Sequence, residues 1–300
     1  MGGRSGEAGL APGRPAPAVK ILLPRESDVY RSLHRAAIER RCVFLAGLSG
    51  VGKSLMLQQL ALIANEVGRV VHLLQWDVAR GAFETPDLLA RYPEVDGVTH
   101  AAIRKAVGLW AREAVGRWDR AQVEARHLLI GETPLIGNRL IELAQRRDDE
   151  VEPLLAGRES LFLIPAPSRE VRRVIEASRA REMASPLHER ERANAAPSLL
   201  RAHWEEIARV ARQLGVPGSR PGDGYDAAVY VGVYRRLLRH RRRATLPITS
   251  VLPVRASPYE LGAVASELVP APDDVERIML QVGAYPEAEL QRQVDNWFES

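Results

Sequence analysis

Arg41-Cys42-Val43-Phe44-Leu45-Ala46-Gly47-Leu48-Ser49-Gly50-Val51-Gly52-Lys53-Ser54 frames the whole chain. Cys42 to Ala46 is an unbroken apolar run of the length of a buried strand. Glycines then recur at 47, 50 and 52, and Lys53-Ser54 opens an apolar segment (Leu55, Met56, Leu57, Leu60, Ala61, Leu62, Ile63) that predicts a buried helix. Strand, glycine turn and helix in that order make G-x-x-x-x-G-K-S a credible phosphate-binding motif. Glycines at 47, 50 and 52 let the backbone N–H groups of 47–54 turn towards a phosphate chain, and the helix N-terminus adds positive potential. Gly47, Leu48, Ser49, Gly50, Val51, Gly52, Lys53 and Ser54 are therefore the candidate nucleotide-binding residues. Lys53 would reach the outer phosphates and the Ser54 hydroxyl would coordinate Mg²⁺. The pattern implies a nucleoside triphosphate site.

The rest of the chain sets bounds on that reading. Among 300 residues the apolar share of 46% is enough for a sizeable core. No run approaches a membrane span, and the opening residues lack an apolar signal-peptide core, so a cytoplasmic protein is expected. One cysteine, Cys42, excludes an intrachain disulfide and a cysteine-built metal site. The net charge is +4, and only Lys20, Lys53 and Lys105 among the basic residues are lysine. An arginine-biased composition accounts for most of that, while some guanidinium forks suit phosphate.

Residues 1–24 read as a disordered Gly/Ala/Pro/Arg tail, and 25–300 as one domain. Helical spacing begins at 26–40. A second strand is expected over Val70–Trp76, ending at Asp77 with Arg80 three residues on. Thr85-Pro86-Asp87 signals a helix start. Ile103, Val107, Trp110, Ala114 and Trp118 predict a long amphipathic helix to about Arg126. A third strand over 127–131 ends in Glu132, and a helix follows over 135–145. A fourth strand covers 160–165. Ser168 then caps a helix with Val171, Val174, Ile175 and Ser178 on its apolar face and Arg169, Arg172, Arg173, Arg179 and Arg181 elsewhere. A helix over 199–214, another over 227–243, a fifth strand over 246–254 and a last helical region from Pro272 towards Trp297 complete the pattern. Alternating strands and helices predict a three-layer α/β fold with a five-stranded parallel sheet.

No Asn-Lys-x-Asp segment, Asp-Glu strand end or transporter signature is present, which argues against GTPases, AAA-type ATPases and transporter ATPases. What remains resembles the small-molecule kinases of the adenylate-kinase, shikimate-kinase and zeta-toxin-like group. Their loop reads G-x-x-G-x-G-K-[ST], matched by Gly47, Gly50, Gly52, Lys53 and Ser54. The resemblance implies acceptor-site helices, here about 85–126, and an arginine-bearing lid, here about 168–200. It also implies that the carboxylate after the second strand, Asp77, contacts the acceptor. Asp77 would orient a hydroxyl and take its proton, with Arg80 binding an acidic group or pairing with Asp77. Glu132 would hold Mg²⁺ through water. Arg172 and Arg179, seven apart on one face, would clamp phosphate together with Arg173. The expected reaction moves the γ-phosphoryl group of ATP to a small hydroxyl or phosphate acceptor, a nucleoside or nucleotide among the candidates. The alternative is an NTPase or nucleotide sensor acting on protein or RNA, with the basic run 235–243 as its contact surface. The histidines show no metal-ligand spacing.

Overall fold

The computed structural model describes residues 20–95, 97–184, 197–253, 257, 259–261 and 265–299. Most of the expected tail (1–24) and the centre of the expected lid (185–196) lie outside the described residues.

The chain runs α1 (Asp28–Glu39), β1 (Cys42–Ala46), α2 (Lys53–Glu66), β2 (Val70–Gln75), α3 (Trp76–Phe83), α4 (Pro86–Arg91), α5 (Ala101–Ala121) and β3 (His127–Thr133). It continues through α6 (Glu152–Ala156), β4 (Ser160–Pro167), α7 (Arg169–Ala184), α8 (Pro197–Gln213), α9 (Ala227–Leu237), β5 (Arg243–Ile248), β6 (Ala265–Glu267), α10 (Pro272–Gly283) and α11 (Glu287–Asp295). The strands form one sheet in the order β5-β4-β1-β3-β2-β6, and every pairing is parallel. The sheet thus has six strands among the described residues, not the five expected. β6 is three residues long and carries no apolar alternation, so nothing local announces it.

All five residues of β1 are buried, as a central strand covered on both faces requires. Val43 and Leu45 pack with α1 and α2; Cys42, Phe44 and Ala46 pack with α5, α8 and α9. That division makes the three layers. Local signals place several helix starts: Ser27 accepts from the Tyr30 amide, Thr85 from Leu88, Ser168 from Val171 and Asp226 from Ala228 and Val229. In α5, Ile103, Val107, Trp110, Ala114 and Trp118 are all buried, as their spacing predicts. None of the described helices is long and apolar enough to cross a membrane.

The register puts the site together. Leu45 pairs with Glu132 and Ala46 with Thr133 between β1 and β3, and Gln75 pairs with Glu132 between β2 and β3. The carboxyl ends of β1, β3 and β2 therefore lie side by side, where parallel α/β sheets present their ligand sites.

Four expectations are corrected. Asp77 does not end a strand, because β2 stops at Gln75 and Asp77 sits in the first turn of α3. The helix expected over 135–145 is replaced by two short 3₁₀ turns, with Leu135, Gly137, Asn138 and Leu140 at positive φ. The helix expected to reach Arg243 ends at Leu237, because Arg241 turns inward to Glu152 and the backbone carbonyls of Leu143 and Gln145. The last helical region splits at Pro286, which cannot continue α10.

Candidate functional site

The Gly47–Ser54 loop leaves β1 and becomes α2. Gly50 (φ 77°) and Gly52 (φ 86°) occupy conformations that favour glycine. Gly47 is needed for another reason: a Cβ there would lie 2.3 Å from the Tyr230 hydroxyl oxygen. Gly52 precedes α2 without a side-chain cap, so the first amides of the helix are not taken by a local oxygen. Leu48 and Val51 are fully buried and anchor the loop in the core.

Lys53 is buried, with 5% of its surface exposed. Its Nζ donates to the Leu48 carbonyl at 2.9 Å and lies 3.4 Å from Glu132 Oε1. Burial pulls the Lys53 ammonium below its ordinary pKa; the Glu132 carboxylate opposes that shift and Arg179 adds to it. Ser54 Oγ donates to the other Glu132 oxygen, Oε2, at 3.4 Å. One carboxylate thus touches both the lysine and the serine of the loop. The structure brings together three of the candidate site residues, Lys53, Ser54 and Glu132.

Asp77 acts on the charge of Lys53 from α3 and is 60% exposed. Arg80, one turn on, lies 3.8 Å from Asp77, 3.5 Å from Glu84 and 3.3 Å from the Thr99 hydroxyl. Arg80 is therefore shared among three oxygens and not committed to Asp77. Glu84 is pushed above its ordinary pKa by burial, which Arg80 opposes.

The three arginines expected to act together diverge. Arg172 is buried, donating Nη1 to the Ser49 carbonyl at 2.8 Å and Nε to Glu176 at 2.6 Å, with its guanidinium 5.2 Å from the Tyr225 ring centre. Arg173 is exposed. Arg179 is half-buried and near enough to act on Lys53. The apolar face of α7 also differs from the expected one, since Val174 is exposed while Arg172 is not.

Three parts of the site escaped the sequence. Tyr259 hydrogen-bonds Ser54 and is pushed up to about 12 by burial and by the Glu132 charge. Its segment is held by Gln58, whose amide donates to the carbonyls of Ser257 and Glu260. His203 of α8 is buried, with Nε2 3.4 Å from Arg139 Nη1. Burial and the charges of Arg139, Lys53, Arg172 and Arg179 push it down to about 3, so the ring is neutral. The Leu135–Leu140 loop is the third part. Its leucines at positive φ, Leu135 and Leu140, store strain of about 1–3 kcal/mol each, a cost that concentrates at functional sites. The Gly137-Asn138 pair was the available signal, being a turn dipeptide and a poor helix interior.

The run 235–243 does not form one surface stripe. The Arg241 side chain is fully buried between Glu152 and backbone carbonyls, and Arg243 donates to the carbonyls of Leu238 and Arg241. Trp110, Trp118 and Trp204 are buried core residues. No group of three or more His, Cys, Asp or Glu that could hold a metal is present among the described residues. The Ser54 hydroxyl and the Glu132 carboxylate beside the glycine loop are nonetheless a donor set that fits Mg²⁺, which keeps several waters and takes few ligands from protein. Searches against protein-family models, curated proteins and solved structures gave no match for this chain, so its own side chains carry the functional reading.

Proposed function

We propose that the protein is a P-loop phosphotransferase that moves the γ-phosphoryl group of ATP to a small hydroxyl or phosphate acceptor. The observation that carries this reading is the meeting of Lys53 and Ser54 with the two oxygens of Glu132, at 3.4 Å each, at the mouth of the glycine loop. In this reading the amides of 47–54 hold the phosphate chain. Lys53 stabilises negative charge on the outer phosphates, more strongly for being shielded from water. Mg²⁺, held by Ser54 and through water by Glu132, would neutralise charge between the outer phosphates.

Asp77 orients the acceptor from the first turn of α3, just past the end of β2. As the acceptor oxygen bonds the γ-phosphorus, the bond from that phosphorus to the β–γ bridging oxygen breaks. Its electron pair leaves with ADP, and a hydroxyl acceptor gives its proton to Asp77. Arg179 closes the side facing Lys53 and helps exclude water, which would otherwise take the phosphoryl group.

The test follows the γ-phosphate of ATP by phosphorus NMR, with Mg²⁺, against pools of nucleosides, nucleotides, sugars and small alcohols. Lys53→Ala and Asp77→Asn proteins run beside the parent. A new phosphoester made by the parent, absent from Lys53→Ala and slowed by about 10²–10⁴ in Asp77→Asn, is expected. Inorganic phosphate alone, at a rate indifferent to every pool and to Asp77→Asn, overturns the proposal in favour of an NTPase acting on protein or RNA.

A further inference from the structure

Beside the glycine loop lies a second group of cations, two of which, Arg104 and Arg139, have no ion-pair partner among the described residues. Arg104, in the first turn of α5, donates Nη1 to the Gly137 carbonyl at 2.7 Å. Arg139 donates Nη1 to the Ile136 carbonyl at 3.3 Å and faces His203. The two guanidinium groups flank Gly137, where a Cβ would lie 3.2 Å from the Arg104 Nη1 and 3.4 Å from the Arg139 Nη1. Neither has a carboxylate within ion-pair distance among the described residues. Each is half-buried. Arg80, itself paired with Asp77 and Glu84, adds its charge from α3 and acts on Arg139.

The nearby acids do not cancel this charge. Glu206 acts on both Arg104 and Arg139, and Asp295 on Arg104, but neither comes within ion-pair distance: Glu206 accepts from Trp297 and Asp295 from Gln291. Asp77 and Glu84 are engaged with Arg80. Burial and the neighbouring Arg139 bring the Arg104 guanidinium down to about 10, and burial lowers Arg139 in the same direction.

Several donors here also lack partners. Arg80 Nε, Arg104 Nε, Asn138 Nδ2 and His203 Nδ1 are all buried without a hydrogen-bond partner. Asn138 is 1% exposed and His203 is 6% exposed. The neutral ring accepts from Arg139 at Nε2, which leaves the proton on Nδ1 and makes that atom another donor. Unpaired donors and uncompensated guanidinium groups are costly to bury, and what offsets that cost is an oxygen-rich anion.

We propose that the acceptor brings its own anionic group, a phosphate or a carboxylate, to the Arg104 and Arg139 guanidinium groups that flank Gly137, next to His203 and Arg80. The inference rests on the phosphoryl-transfer reading for the word acceptor, but the anion site itself stands on these residues. Arg104 and Arg139 grip the anion with guanidinium planes already fixed by the carbonyls of Gly137 and Ile136. The Leu135–Leu140 turn holds those carbonyls and Asn138 in place. Neutral His203 donates a hydrogen bond without adding to the repulsion among the cations.

The test uses the full chain carrying Lys53→Ala, so that anion binding at the glycine loop is weakened. Thermal unfolding is followed with methyl phosphate, with acetate and with sodium chloride at matched ionic strength. A saturable rise in Tm with methyl phosphate or acetate, above the chloride control, is expected, and the probe that produces it names the anion as phosphate or carboxylate. Adding Arg104→Gln or Arg139→Gln weakens that binding roughly tenfold, while Arg139→Lys retains part of it.

Without anion, Arg139→Gln raises Tm, because it removes an uncompensated charge; a purely structural arginine would lower Tm on removal. Equal shifts in every variant, or none above chloride, overturn the inference. Phosphoryl transfer measured separately keeps the two readings apart. An anion site without transfer sinks the kinase reading alone, and transfer without an anion site sinks this inference alone.

Discussion

Arg172 Nη1 donates to the carbonyl oxygen of Ser49 at 2.8 Å, tying the first turns of α7 to the glycine loop 123 residues away in sequence. The same guanidinium bonds Glu176 and lies against the Tyr225 ring, and Gly50 leaves room for it. An arginine expected to reach a transferred phosphate instead braces the loop that would hold the nucleotide.

Arg172→Ala should therefore act first on stability. It leaves the Ser49 carbonyl unpaired and opens a void beside Gly50, at a cost of about 2–4 kcal/mol in urea unfolding. Nucleotide affinity should fall with it, because a loosened loop must be ordered on binding. Arg173→Ala, at an exposed position, should move stability by less than about 0.5 kcal/mol.

Gly47 and Tyr230 form a testable pair. Gly47→Ala drives a Cβ against the Tyr230 hydroxyl and should cost about 1–3 kcal/mol. In Gly47→Ala/Tyr230→Phe the obstructing oxygen is gone and the next ring atom lies 3.6 Å away. The double variant should recover part of the loss, read as a coupling energy in a double-mutant cycle. Additive losses would show that the Val51 contact to Gly47, and not Tyr230, sets the requirement.

His203 should leave a signature in the pH dependence of stability. Its folded pKa lies near 3, below the ordinary 6.5 of the unfolded chain. Between those values the unfolded state binds the extra proton, so stability rises with pH across the window and is lost as pH falls from 6.5 towards 3. The slope from one such group is at most about 1.4 kcal/mol per pH unit. His203→Gln should flatten the curve between pH 6.5 and 5. His72, His100 and His240 shift in the same direction, so the difference between parent and variant isolates His203.

Glu152 provides the contrasting case. Arg112 Nη2 lies 2.7 Å and Arg241 Nη1 2.8 Å from its carboxylate. Hydrogen bonds from Arg241 and Arg112 bring it down to about 2 against the opposing effect of burial. A carboxylate depressed in this way stabilises the fold above its unfolded pKa of 4.5, and the contribution disappears as pH falls towards 2. Glu152→Ala leaves two buried guanidinium groups short of a partner and should cost about 3–5 kcal/mol in denaturant unfolding. A loss confined to the range of surface substitutions would show that Asp149 alone suffices for Arg112.

The chain's own residues determined the glycine loop, the Lys53-Ser54 pair that follows it, the strands that flank it and the caps that start the helices. These depend on neighbours within a few positions: a glycine that must turn, a serine or threonine that accepts an amide three residues on, an apolar residue that recurs with the period of a helix. The tertiary structure decided the rest. It paired β6 with β2 through three residues too few to announce themselves. It buried Arg172 and Arg241, which read locally as solvated charges, because their oxygen partners arrive from distant segments. It replaced an apolar helical pattern over 135–145 with a strained turn beside Arg104 and His203. Local periodicity records which residues prefer water. Whether a charge can leave water depends on acceptors that only the assembled fold brings within reach.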